Sequence, residues 1–255
     1  MHITRCKTLR STKSQYESAC ERLTGRHRQT AIGYVVNMGR ILAIGDIHTK
    51  IWIIEKVAKV VNDYDKVIFC GDYADDFSAT PQDTLNTWRT LMDVQSNNRK
   101  KIELVIGNHD YIYVNNTPSL QSGYNPITQA LIDAPENKNI KAWLTGLPVI
   151  IEIDGIAYSH AGIANEWSGM QDVEGLWNDT SPLWARPGTS VAYNDSPQVF
   201  GHTPSRTCYE IKHGVWCIDT FSTMPDGTPF GDGSVLQVID GKKFTKIYLK
   251  RLGNS

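Results

Sequence analysis

The chain has 255 residues, enough for one sizeable domain with a substantial apolar core. Its 26 basic and 27 acidic residues give a formal net charge of -1, which removes any overall electrostatic case for nucleic acid or a membrane surface as an obligatory partner. The five cysteines (Cys6, Cys20, Cys70, Cys208, Cys217) are scattered without a CxxC pair, no apolar run approaches the ~18 residues of a spanning helix, and the N-terminus is polar and basic. A cytoplasmic protein with structural thiols is therefore expected.

Residues 1–39 stand apart, with seven basic residues against two acidic ones. They read as a basic N-terminal extension with little order of its own, because Met38-Gly39-Arg40 would serve equally well as a start. The competing reading is a short arm, with a weak helix around Ser14 to Leu23, that touches an anionic partner. A single domain is expected over 40–255.

From Arg40 the pattern becomes regular. "RILAI" reads as a buried strand, "IWIIEKVAKVVN" carries apolar residues at helical spacing, and "KVIFC" is a second buried strand, which together make a parallel crossover unit. Thr80-Pro81 supplies an N-cap and a first-turn proline for a helix to about Val94, and "KIELVIG" is a third strand. Short helices are expected at Asn125-Pro126 and around Ile140 to Leu144. "PVIIEI" and "IAYSH" form a hairpin about Asp154-Gly155, and "QVFGH", "CYEIKHGVWCID" and "SVLQVIDGKKFTKIYL" supply further strands, the last with a turn at Asp240-Gly241. The sum is an α/β sandwich whose ligands belong at the carboxyl ends of its strands.

Five of those ends carry metal-ligand chemistry. Asp46 and His48 follow the first strand, Asp72 and Asp75 the second, Asn108 and His109 the third, and His160 and His202 close two later ones. Carboxylates, imidazoles and an amide carbonyl suit borderline divalent cations such as Mn, Fe or Zn. Six ligands (Asp46, His48, Asp72, Asn108, His160, His202) exceed the needs of one ion. With Asp72 as a bridge they would hold two, at the ~3.5–4 Å spacing of two-metal phosphoryl-transfer sites. Each residue taken alone has a plainer reading: Asp46 and Asp72 as turn or cap residues, His160 as a core histidine, Asn108 as a left-handed turn residue. The serial pattern is what favours ligation.

"GDIH", "GDYAD", "GNHD", "SHAG" and "GHT", in that order between about residues 40 and 240, resemble the motif series of the calcineurin-like metallophosphoesterases. "GHTP" with "PLWAR" before it is most similar to the phosphoprotein-phosphatase branch with its bacterial and phage members. The resemblance implies a four-layer α/β/β/α sandwich of two mixed β-sheets flanked by helices. It also implies hydrolysis of phosphomonoesters by a hydroxide bridging two divalent metal ions, with Mn favoured. Asp46, His48 and Asp72 would hold the first ion, and Asp72, Asn108, His160 and His202 the second. His109 would be the general acid, Asp75 its orienting partner, and Arg186 a phosphate grip. The implied substrate is a phosphorylated small molecule, protein or nucleotide.

Three departures bear on substrate. Thr49-Lys50 stands where the branch has Gly after the motif histidine; of the two readings of Lys50, a reach to phosphate or solvation at the start of a helix, solvation is the one expected. Asp76 replaces an arginine that would clamp phosphate, an unfavourable charge unless it points away or pairs with a base. Pro204 occupies the place of a second histidine found in many phosphodiesterases, which favours the phosphatase branch. Two other functions fit the same residues. One is hydrolysis of nucleotides, dinucleoside polyphosphates or RNA ends, with Tyr73, Phe77, Tyr111 or Tyr124 stacking on a base; the other is an inactive metal-binding scaffold, against which the His109–Asp75 pair argues. Trp52, Trp88, Trp143 and Cys70 read as packing residues.

Overall fold

The computed structural model describes residues 39–115, 122–165, 167, 176–189 and 196–253. The basic N-terminal segment, with its expected arm or weak helix, lies outside the described residues apart from Gly39.

Two five-stranded sheets face one another. The first contains β1 (Arg40–Ile44), β2 (Lys66–Phe69), β3 (Ile102–Leu104), β9 (Ser234–Ile239) and β10 (Lys243–Tyr248), in the order β10-β9-β1-β2-β3. The second contains β4 (Ile150–Ile153), β5 (Ile156–Ser159), β6 (Gln198–Phe200), β7 (Tyr209–Lys212) and β8 (Val215–Cys217), in the order β4-β5-β6-β8-β7. Both are mixed. β1, β2 and β3 run parallel, as do β5, β6 and β8, and the flanking strands pair antiparallel.

β1 explains why its sequence is apolar without alternation. Leu42 and Ile44 face the helices, while Ile41 and Ala43 face the second sheet, so both faces are buried. The helix side is packed by α1 (Ile51–Val60), α2 (Pro81–Asn97), α3 (Asn108–Val114), α4 (Pro126–Asp133) and α5 (Lys138–Thr145). Ile68, Cys70 and Val105 meet Ile156, Tyr158, Val199 and Ile218 between the sheets. The outer face of the second sheet packs Phe200, Val215 and Cys217 against Ala185. This is the α/β sandwich read from the sequence, with the two mixed sheets flanked by helices that the family resemblance implies.

Local signals act as expected at several ends. Thr80 closes a capping box with Asp83 and Pro81 opens α2, which runs to Asn97, one turn beyond the predicted end. Asn125 caps α4 by accepting from the Ile127 N–H. Asp154-Gly155 and Asp240-Gly241 turn with positive φ at both residues, the conformation that Asp-Gly supplies in tight hairpins. The sequence reading did not foresee α3, which begins inside "GNHD". Cys70, Cys208 and Cys217 are buried free thiols; Cys6 and Cys20 lie outside the described residues. Among the described residues no helix is long and apolar enough to cross a membrane.

Candidate metal centre and active site

Every one of the six parallel strands delivers polar side chains to the same edge. Asp46 and His48 come from β1, Asp72 from β2, Asn108 and His109 from β3 through the start of α3, His160 from β5 and His202 from β6, and all but His160 line one cavity of about 360 Å³. His160 lies beneath its floor, fully buried. The sixth strand, β8, contributes Asp219, which the sequence reading passed over although "VWCID" ends in the same way as "LAIGD".

The turns after these strands are strained in a way that aims side chains inward. His48 (φ 39°), Asp72 (φ 53°), Asp75 (φ 57°) and His202 (φ 63°) all occupy the left-handed region. For residues with a Cβ that conformation costs about 1–2 kcal/mol each, and such strain concentrates at functional sites. Glycines make room. A Cβ on Gly201 would lie 1.8 Å from Asp46 Oδ1, and one on Gly107 would lie 2.2 Å from Asp72 Oδ1.

Hydrogen bonds fix the protonation of two histidines. His48 Nδ1 lies 3.0 Å from the Ala74 carbonyl and His160 Nδ1 lies 3.0 Å from the Cys70 carbonyl. A carbonyl only accepts, so each Nδ1 carries the proton and each neutral ring directs a bare Nε2 lone pair into the site. Burial holds both rings neutral: it lowers the His48 pKa to about 4 and that of His160 well below the ordinary histidine value.

The consequence is a crowd of acceptors. His160 Nε2 lies 2.6 Å from Asn108 Oδ1, 3.1 Å from His202 Nδ1 and 3.4 Å from Asp72 Oδ1. His48 Nε2 lies 4.0 Å from both Asp46 Oδ2 and Asp72 Oδ2. Asp72 thus turns one oxygen toward each cluster, and the ligand atoms within Asp46/His48/Asp72 and within Asp72/His160/His202 lie inside 4.8 Å of one another. Lone pairs converging in this way repel unless a cation sits among them, and the donor set is the one that borderline divalent ions accept. The residues present fit a pair of such ions.

The buried acids tell the same story. Burial raises the pKa of Asp46 and of Asp72, and neighbouring carboxylates (Asp219 for the first, Asp110 for the second) raise them further. The Asp46 oxygens accept from the His202 N–H at 3.0 Å each, and Asp72 Oδ1 accepts from the His109 N–H at 3.0 Å. Asp219 is held by Ser222, whose hydroxyl donates at 2.8 Å and 2.9 Å to its two oxygens. Asp110, the last residue of "GNHD", is fully buried and accepts from the Tyr73 and Ala74 N–H groups and from Trp88 Nε1. It ties the turn that carries Asp72 and Asp75 to α3, and no role for it was read from the sequence.

His109 sits 14% exposed at the cavity, its Nδ1 3.0 Å from Asp75 Oδ2. Tyr113 donates to the other Asp75 oxygen at 2.8 Å. Burial lowers the His109 pKa to about 4, and burial raises that of Asp75 to about 8 against the Tyr113 hydrogen bond. Arg186 lines the cavity with its Nη1 3.4 Å from the His202 carbonyl, and among the described residues it is the only lysine or arginine in the lining.

Two sequence expectations are corrected here. Lys50 is not solvated: its Nζ lies 2.6 Å from Asp76 Oδ2, which removes the charge conflict anticipated at Asp76. Tyr73 and Tyr111 cannot stack on a substrate, because they are buried, and the Tyr73 hydroxyl donates to the Val105 carbonyl at 2.6 Å. Tyr124 stacks instead on Tyr113, and only Phe77 of the four aromatics lines the cavity. Trp88 is core, Trp143 packs at its edge, and Trp52 is 38% exposed against Phe221.

Residues 39–230 match the family model for calcineurin-like phosphoesterases. Compared by sequence, no curated protein matches the chain. Among solved structures it is similar to a cold-active protein-tyrosine phosphatase of the psychrophile Shewanella sp., with TM-score 0.57 and 18% identity, covering 82% of this chain and 80% of that one. It is similar also to a protein serine/threonine phosphatase from Saccharomyces cerevisiae with similarity to human phosphatase PP5, with TM-score 0.56 and 12% identity, covering 84% and 81%. At such identities the likeness speaks for the fold. The match of the family model over most of the chain speaks for descent: this chain belongs to the calcineurin-like phosphoesterase family.

Proposed function

We propose that this phosphoesterase hydrolyses phosphomonoesters at a two-cation site made of Asp46, His48, Asp72, Asn108, His160 and His202. The observation that carries the reading is the placement of Asp72, with one oxygen toward the His160 cluster and the other toward His48, beside a cavity that also receives the His109–Asp75 pair. When bound, divalent cations such as Mn, Fe or Zn draw charge off the phosphoryl oxygens and ionise the attacking water.

The chain's own residues do the rest. Asp75 accepts from His109 Nδ1 and so turns Nε2 toward the cavity; in the imidazolium form, which the Asp75 carboxylate stabilises, Nε2 carries the proton that goes to the leaving oxygen. Tyr113 fixes Asp75, and hence the imidazole plane, through its hydroxyl. Arg186 pairs with the phosphoryl group at the cavity edge. The Asp72 carboxylate is kept from rotating by the His109 N–H.

The test is hydrolysis of 4-nitrophenyl phosphate by purified protein supplied in turn with Mn, Fe, Zn, Ni and Co. Turnover that disappears in His109→Asn while bound metal persists supports the reading. Inactivity with every cation, on this and on nucleotide and RNA-end substrates, returns the protein to the scaffold alternative.

A further inference from the structure

Phe77 is an unusual side chain for this place. It is 54% exposed at a cavity lined mainly by polar and charged side chains, where the other aromatic among the described lining residues is Trp184, half-buried against His202. The Phe77 backbone is held firmly. Asp76 Oδ2 accepts from Lys50 Nζ at 2.6 Å and from Thr223 Oγ1 at 2.9 Å, and Asp76 Oδ1 accepts from the Ser78 N–H at 3.1 Å and Ser78 Oγ at 2.9 Å. The Ala79 N–H closes the turn onto the Asp76 carbonyl at 3.1 Å. Phe77 is therefore the tip of a tight turn whose base is pinned to the start of α1 and to the segment after β8.

The four donors also saturate the Asp76 carboxylate, so Asp76 offers nothing further to a ligand. Lys50 does not line the cavity, and the pair cancels in charge. What this wall presents to substrate is an aromatic ring. Its distance from the chemistry is short: Phe77 lies two residues from Asp75, which orients His109, and two residues span at most about 7 Å. Met224, next to Thr223 in the chain, adds a second exposed apolar side chain beside the Asp76–Thr223 bond.

We propose that Phe77 is a specificity-determining residue that packs against the leaving group, and that the preferred substrates are aryl phosphomonoesters, in which the ring is bonded directly to the oxygen that His109 protonates. The inference rests on the phosphomonoesterase reading above. A ring facing Phe77 removes apolar surface from water and adds the edge or offset contact that aromatic pairs favour.

The experiment compares kcat/KM for phenyl phosphate and for glycerol phosphate in the wild type, Phe77→Ala and Phe77→Tyr, all loaded with Mn. Comparing the aryl-to-alkyl ratio between proteins cancels the intrinsic reactivity of the two esters. The expected result is a fall of about tenfold in that ratio in Phe77→Ala, corresponding to a contact of about 1.4 kcal/mol, and its recovery in Phe77→Tyr. Equal losses on both esters, or no loss on either, overturn this inference and leave the phosphomonoesterase reading intact. Absence of hydrolysis in the wild type with any cation overturns both. Phenylphosphonate and methylphosphonate supply an independent readout by calorimetric titration: the variant loses affinity for the phenyl compound selectively, and a parallel loss counts against the inference.

Discussion

His109 Nδ1 lies 3.0 Å from Asp75 Oδ2, and the other Asp75 oxygen accepts from the Tyr113 hydroxyl. A buried carboxylate held from both sides engages Nδ1 of His109 and turns Nε2, the nitrogen from which a proton would be delivered, toward the cavity. Loss of a positioned acid costs about 10²–10⁴-fold. His109→Asn is expected to lower kcat in that range with bound metal unchanged by elemental analysis. Tyr113→Phe, which leaves the pair but frees its carboxylate to rotate, should cost about tenfold or less, and the two variants are compared under saturating 4-nitrophenyl phosphate.

Asp219 is expected to act in opposite senses on the empty and the loaded protein. It is buried beside Asp46, whose pKa it raises, and a Cβ on Gly45 would lie 3.1 Å from the Asp219 Cα, so the ends of β1 and β8 touch here. Removing one of several crowded carboxylates relieves repulsion in the metal-free protein. Asp219→Asn is expected to raise the metal-free melting temperature by about 2–4 °C, the shift that 1 kcal/mol brings in a chain of this size. The same variant should bind Mn about tenfold more weakly by calorimetry, the usual scale for a group just outside the ligand set.

Metal itself should stabilise strongly. Clustered lone pairs and raised carboxylate pKa values are features of a site that gains on binding a cation. Saturation at a hundredfold excess over the dissociation constant adds about 2.7 kcal/mol per site, so a scan with and without Mn plus chelator should show a rise of at least 5 °C. Gly201→Ala, with its Cβ driven 1.8 Å from Asp46 Oδ1, should abolish most of that rise.

The Lys50–Asp76 pair sets an acid limit. Burial works against the charge on Asp76, but the hydrogen bonds from Lys50 and Ser78 prevail and lower its pKa to about 2. A carboxylate depressed in the folded state contributes stability above its unfolded pKa of about 4, and that contribution is lost as pH falls toward 2. In the partly screened setting of Asp76 the amount is on the order of 1–2 kcal/mol. Asp76→Asn should therefore be less stable than wild type at pH 6 in urea titrations, with the gap closing between about pH 4 and pH 2.

The sequence announced the site well because the parallel strands of this fold are buried on both faces. Their apolar runs stop abruptly, and an Asp or His after such a stop is conspicuous, as with Asp46 after "RILAI" and His202 after "QVF". Asp219 is less conspicuous because "CYEIKHGVWCID" runs two strands together, and β8 is only three residues long, so no long apolar run stops at the acid. Lys50 and Asp76 were misjudged for a different reason. They are 26 residues apart, and only the left-handed turn at His48 and Thr49 brings the lysine back over the second strand's loop. The burial of Tyr73 likewise depends on its hydroxyl donating to the Val105 carbonyl, with the Phe69 carbonyl nearby, which no one-dimensional pattern records.

The His202 N–H reaches the Asp46 carboxylate across 156 positions of chain, and with that bond the two sheets meet at their common rim. Asp46, His48 and Asp72 all hang from the first sheet, but the other group joins Asp72 to His160 and His202 of the second. Filling that second position is thus expected to wait until both plates are in place, so uptake of the second cation would serve as a clock for the docking of one sheet on the other.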